Sequence, residues 1–137
     1  MEFNDLIKGE KNTKTISEVK FLNPLVMAFV GDSIYSLYVK TEVLDLFKTK
    51  VDNLTKTTAT MVNAKAQEDA LFKIMDTLTD EEKDLVRRAR NTNIHTKAKN
   101  YSIETYRHAT ALEALIGYLY LTGNLQRLKE LLNLIFN

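Results

Sequence analysis

Between Lys20 and Lys40 the chain carries one charged residue, Asp32, inside an apolar stretch that opens at Asn23-Pro24. Asparagine is a good helix N-cap, and proline suits the first helical position, where its missing N–H has no partner to lose. The apolar residues that follow, Leu25, Val26, Ala28, Phe29, Val30, Ile34, Tyr35, Leu37 and Tyr38, cover too much of the circumference for a surface helix. The spacing predicts a central helix.

Breakers are scarce elsewhere too, with one proline and four glycines in 137 residues, and apolar residues recur at helical rather than alternating spacing. An all-α fold is expected. A second helix is predicted from Asn53 to Met75, with Leu54, Met61, Ala64, Ala70, Leu71, Ile74 and Met75 as its apolar residues. Thr79 and Glu82 form a capping box for a third, Asp80 to Arg90, whose basic last turn suits the helix dipole. Asn91 to Tyr101 lacks apolar periodicity and reads as a loop. Ser102 caps a fourth helix reaching Leu121 or Thr122, with Gly123 placed to end it in a left-handed conformation. Asn124 starts a last amphipathic helix with Leu125, Leu128, Leu131, Leu132 and Ile135 on its buried stripe.

A chain of this length, 45% hydrophobic and 27% charged, can bury a core as a single domain spanning residues 1–137 without disulfides. The lack of cysteine removes a disulfide frame, a zinc-thiolate site and a cysteine nucleophile, and agrees with a cytoplasmic location. Residues 1–20 are polar and mixed in charge, without the apolar core of a secretion signal, and are expected to fray. No apolar run approaches the roughly 18 residues that a membrane span needs.

Net charge is only +1, but it is unevenly spread. From Arg87 to His108, six basic residues (Arg87, Arg88, Arg90, Lys97, Lys99 and Arg107) face one acid, Glu104. Such a segment suits a polyanion, because phosphate contacts need local charge rather than a high overall pI. A solvated basic surface is the alternative.

The two most apolar helices each carry one acid. Asp32 follows Gly31 in Ala28-Phe29-Val30-Gly31-Asp32, and Glu113 is the single charge between His108 and Arg127. Aspartate and glycine are both poor mid-helix residues, and neither acid has a base three or four positions away. A buried carboxylate needs a partner or a metal. If the two meet they repel, unless a hard divalent cation such as Mg²⁺ or Mn²⁺ joins them. Two alternatives stand beside this: each acid pairs with a lysine from another element, Lys65 being the obvious candidate, or Asp32 lies on an exposed strip.

Residues 23–34, from Asn23-Pro24-Leu25-Val26 to Gly31-Asp32-Ser33-Ile34, resemble the first motif of the ribonuclease III catalytic-domain family, and Thr110-Ala111-Leu112-Glu113-Ala114-Leu115-Ile116-Gly117 resembles the second. Val62-Asn63-Ala64-Lys65-Ala66-Gln67, Arg87-Arg88-Ala89-Arg90-Asn91 and Thr105-Tyr106-Arg107-His108-Ala109-Thr110 are similar to stretches of its short branch, Mini-ribonuclease III, which lacks a double-stranded-RNA-binding domain. The resemblance implies the family's all-helical endonuclease fold and a homodimer, with Phe29 at the interface. It also implies Asp32 and Glu113 as catalytic metal ligands, with Mg²⁺ the cofactor and Mn²⁺ a substitute. Ala28 and Thr110 stand where the larger enzymes have two further acids, which leaves the number of ions open.

The implied activity is hydrolysis of double-stranded RNA to 5′-phosphate and 3′-hydroxyl ends, with maturation of bacterial 23S ribosomal RNA as the role and no DNA substrate. Lys65, Arg87, Arg88, Arg90, Lys97, Lys99 and Arg107 are then candidates for contacts to RNA phosphates, and Lys65 could equally neutralise an acid. His95 falls in the polar loop, and His108 reads as a surface partner of Glu104, so neither is assigned catalysis. Ser33, Thr110 and the tyrosines have no base at a spacing that suggests a nucleophile. A non-catalytic RNA-binding relative and a helical scaffold dimer are the competing functions.

Overall fold

The helix from Ile103 to Leu121 is enclosed on nearly every side, with Ala109 to Leu112, Ala114 to Gly117, Leu119 and Tyr120 all withdrawn from solvent. It is the sixth of seven α-helices in a computed structural model that describes residues 15–47, 50–92 and 100–137. In chain order these are α1 (Ile16–Lys20), α2 (Pro24–Phe47), α3 (Val51–Val62), α4 (Ala64–Ile74), α5 (Asp80–Asn91), α6 (Ile103–Leu121) and α7 (Leu125–Phe136), with a 3₁₀ turn at Met75–Thr77. No strand occurs among the described residues, so the fold is all-α as expected. Helices α2, α4 and α5 pack around α6, and α7 closes the core with Leu128, Leu131, Leu132 and Ile135.

The centre is therefore α6, which corrects the expectation that α2 would hold that place. Met27, Tyr35, Val39 and Val43 of α2 are buried, but Val26, Phe29, Leu37 and Leu44 are exposed. Those four recur at helical spacing and form one outward apolar stripe. The uniformly apolar composition of α2 thus reflects two apolar faces rather than enclosure within one chain.

The predicted helix from Asn53 to Met75 is in fact two. Asn63 leaves the helical region with φ −69° and ψ 164°, and its side-chain oxygen accepts from the Ala66 amide at 2.8 Å. An asparagine that satisfies a helix N-terminus ends one helix and starts another, which apolar periodicity does not reveal. The other punctuation holds: Asn23 caps α2 through the Leu25 amide, Thr79 and Glu82 form the capping box of α5, and Gly123 adopts φ 74° after α6. In the segment expected to fray, Thr15 and Glu18 make a second capping box and Val19 sits in the core, while residues 1–14 lie outside the described part. Among the described residues no helix is long and apolar enough to cross a membrane.

Helices α2 and α6 make the most extensive contact in the fold, and two glycines set its closeness. A Cβ on Gly31 would stand 1.7 Å from the backbone oxygen of Glu113, and one on Gly117 would stand 1.9 Å from that of Met27. Each glycine admits the opposite backbone, so the pair is reciprocal. A second tie joins α7 to α5: Arg127 donates to both oxygens of the buried Glu82 carboxylate at 3.0 and 2.9 Å, and to the Thr77 carbonyl at 2.7 Å. Burial works against the Glu82 anion, but Arg127 and the Thr79 cap outweigh it and hold its carboxyl below the usual range.

Helix propensity alone predicts that Gly31→Ala or Gly117→Ala stabilises an interior helical position by about 1 kcal/mol. The crossing predicts the reverse, because the clash is with backbone that cannot rotate away, and each variant should lose about 3 kcal/mol. Circular-dichroism melting decides the sign.

Candidate active site

Four residues of α2 at helical spacing, Leu25, Ala28, Phe29 and Asp32, face four of α6, Tyr106, Ala109, Thr110 and Glu113. Val62, Ala64 and Gln67 from the α3–α4 junction complete a cleft of about 500 Å³. The sequence-predicted acids thus meet from different helices, brought together by the crossing at Gly31, whose neighbour is Asp32 and whose contact is the Glu113 backbone. Ala28 and Thr110 line the same space and add no charge to it.

Asp32 is exposed, while Glu113 lies deeper and its carboxyl hydrogen-bonds both Asp32 and Gln67. Burial, followed by the hydrogen bond to Asp32 and its charge, pushes the Glu113 carboxyl up to about 9, with Gln67 pulling the other way. Without a cation, burial and the neighbouring Asp32 therefore favour the protonated form of the Glu113 carboxyl at neutral pH. Lys65 does not relieve the pair. Its ammonium lies 3.2 Å from both Glu68 and Asp69, one helical turn along its own helix, which corrects its expected pairing with Asp32 or Glu113.

The side chains in the cleft that can ligate a cation offer oxygens: two carboxylates, the Gln67 amide oxygen and the Thr110 and Tyr106 hydroxyls. That set fits a hard divalent cation such as Mg²⁺ or Mn²⁺ rather than zinc. Among the described residues no group of three or more acids, histidines or cysteines is placed to hold a metal, so protein ligands at this site are few.

Beside the cleft, α4 is fastened to α6. Glu68, 7% exposed, accepts from His108 Nδ1 at 2.7 Å and from Thr105 at 3.3 Å, and it also receives Lys65. The His108 bond lowers the Glu68 carboxyl, against the effect of burial and with help from Lys65 and Thr105. Phe72 and the imidazole meet in a T-shaped contact with ring centroids 4.9 Å apart. His108 is thus the partner of Glu68 and not of Glu104, which pairs with Arg107 at 3.8 Å. The correction has a simple cause: a buried carboxylate on a packed neighbour claims the imidazole more strongly than an exposed one on the same helix.

Of the basic candidates, Arg87 and Arg88 both bond Asp84, at 2.6 and 3.1 Å, and Arg90 has no ion pair among the described residues. The Nε of Arg107 is buried without a hydrogen-bond partner. None of these four, nor Lys65, lines the cleft. Lys97, Lys99 and His95 lie outside the described residues. Phe29 is 79% exposed, at the point where the rim of the cleft meets the outward stripe of α2.

Sequence reasoning missed Gln67 and the role of the two glycines. A signal for each existed: Gln67 follows Ala64 by one turn, between the apolar contributions of a helix, and Gly31 and Gly117 sit within four residues of the two anomalous acids.

Residues 25–124 match the family model described as the Ribonuclease III domain. The chain is 45% identical over 126 residues to the Mini-ribonuclease 3 of Thermoanaerobacter sp. (strain X514), covering 90% of this chain and 89% of that one. It is 46% identical to the Mini-ribonuclease 3 of Brevibacillus brevis, over 83% of this chain and 85% of the relative. A crystal structure of a Fusobacterium nucleatum protein superposes with a TM-score of 0.77 at 34% identity, covering 83% of this chain and 93% of that one.

The raised Glu113 carboxyl has a thermodynamic consequence for the metal-free protein. Its folded value, about 9, lies above the ordinary 4.5, so the folded state binds more protons than the unfolded one between those limits. The stabilising share is complete below the ordinary value and is lost as pH rises through the folded one. In chelator, the melting temperature should therefore fall steadily across that window, and Glu113→Gln should flatten the decline. A wild-type profile as flat as the variant's would contradict it.

Proposed function

The chain belongs to the ribonuclease III family, and from that premise we propose that it is a Mg²⁺-dependent endoribonuclease that cuts double-stranded RNA, leaving 5′-phosphate and 3′-hydroxyl ends. The observation that carries this is the meeting of Asp32 and Glu113 in one cleft, hydrogen-bonded to each other, with no base among the described residues to neutralise them. The choice of a 23S ribosomal RNA precursor in the cytoplasm as the duplex rests on the resemblance alone.

Asp32 and Glu113 are the residues that would hold the cation. When bound, a divalent ion supplies a water of lowered pKa and offsets the charge that gathers on the phosphate. The chain's own part is to bring the two carboxylates together on rigid helices and to leave one of them exposed toward the substrate. Glu113 must give up its proton to serve as a ligand. Arg90, which has no ion pair among the described residues, and Arg107, whose Nε is buried without a hydrogen-bond partner, supply contacts to the RNA backbone together with Arg87 and Arg88. Duplex RNA is recognised mostly by shape and phosphate position, so binding through these residues should weaken steeply with salt.

A homodimer follows from the stripe Val26, Phe29, Leu37 and Leu44, which is apolar, lies on the outer face of α2 and borders the cleft through Phe29. A two-fold pairing of this face would set two equivalent acid pairs at one interface, one for each strand. Phe29→Glu should give a monomer by light scattering, with cleavage lost at concentrations where the wild type is dimeric.

With a labelled RNA duplex and Mg²⁺, the wild type should produce discrete fragments that vanish in chelator. Asp32→Asn and Glu113→Gln should each cut at least about 100-fold more slowly, beyond the usual effect of an outer-shell change, while still shifting the duplex on a native gel. RNA left intact but shifted by the wild type would indicate a non-catalytic binder. Intact and unshifted RNA would indicate a scaffold.

A further inference from the structure

The first turn of α4 delivers an uncharged amide to the two acids. Asn63 starts the helix, Ala64 reaches the cleft, and one turn later Gln67 lines it at 4% exposure. Burying a primary amide is costly unless it is hydrogen-bonded, and an apolar residue of similar size would pack there without that cost. The amide's partner is the Glu113 carboxyl. Its reach is fixed from the next residue, because Glu68 clasps α4 to α6 through His108 and Thr105.

We propose that Gln67 is a positioning residue, whose side-chain N–H donates to Glu113 and turns that carboxylate, together with Asp32, toward a divalent cation. The proposal rests on the metal-dependent reading above. Two acids that meet alone at this helix crossing engage each other, which occupies the oxygens a cation needs. A neutral donor from a third element competes for one Glu113 oxygen and anchors the side chain in a single rotamer. The residue type follows from this: lysine would take the place of the cation, an acid would add repulsion, and an apolar side chain would leave the acids to each other. Outer-shell donors of this kind typically change metal affinity or activity by 10–100-fold.

The test uses full-length protein without RNA, with Mn²⁺ binding followed by electron paramagnetic resonance and melting measured in chelator. Gln67→Met and Gln67→Leu are compared with the wild type. Both should bind Mn²⁺ about 10–100-fold more weakly, with melting temperatures held or raised, since a buried amide is exchanged for apolar volume. In cleavage assays the half-saturating Mn²⁺ concentration should rise by the same factor, and the rate at saturating Mn²⁺ should return to within a few-fold of the wild type.

Unchanged Mn²⁺ affinity in either folded variant overturns the proposal. Lower melting temperatures with unchanged affinity, or failure of both variants to fold, would make Gln67 an ordinary core residue and overturn it as well. Those failures differ from failure of the nuclease reading, in which the wild type itself neither binds Mn²⁺ nor cuts RNA.

Discussion

Everything in the cleft depends on how closely α2 and α6 cross. Two helices separated by ordinary side chains keep their axes 8–10 Å apart. Here Gly31 meets the Glu113 backbone and Gly117 meets the Met27 backbone, so neither helix has side-chain bulk between them at the crossing. That closeness puts Asp32 and Glu113 in hydrogen-bonding contact, although each belongs to an apolar helix that would otherwise have no use for a charge. Glycine in a helix costs stability, and at Gly31 and Gly117 the cost is offset by packing and by the site that results.

Electrostatics around the cleft separate into two kinds of carboxylate. Glu68 and Glu82 are buried and fully supplied with donors: His108, Thr105 and Lys65 for one, Arg127 and the Thr79 cap for the other, so both stay ionised and fasten helices together. Glu113 is half-buried beside a like charge and, among the described residues, has Gln67 as its donor, so its carboxyl is pushed up. Among the described residues no cation compensates the Asp32–Glu113 pair. Such a pair is the natural place for an external cation, and the all-oxygen lining says which kind.

Much of this was legible in the chain itself. Asp32 and Glu113 stood out because each interrupts an apolar helix, and the caps at Asn23, Thr79, Ser102, Gly123 and Asn124 are local chemistry that needs no tertiary context. What could not be read were choices between partners. The sequence matches Lys65 to Asp32 or Glu113 and His108 to Glu104, but Lys65 pairs with Glu68 and Asp69 along its own helix, and the packing of α4 on α6 gives His108 to Glu68. Asn63 looked like a mid-helix residue because the apolar pattern runs on either side of it. The apolar face of α2 could not be told from a buried one, since exposure to water and cover by another surface read alike in composition. Gln67 was hidden for a related reason: an amide carries no charge to mark it, and its role exists only where three helices meet.

The central claim is that the crossing builds a divalent-cation site between Asp32 and Glu113. Anomalous diffraction from a crystal grown with Mn²⁺ tests it most directly. The account predicts a manganese peak in the cleft, in contact with both carboxylates. A cleft that stays free of manganese at concentrations supporting cleavage, or a peak bound elsewhere with the two acids still joined by their hydrogen bond, would contradict it.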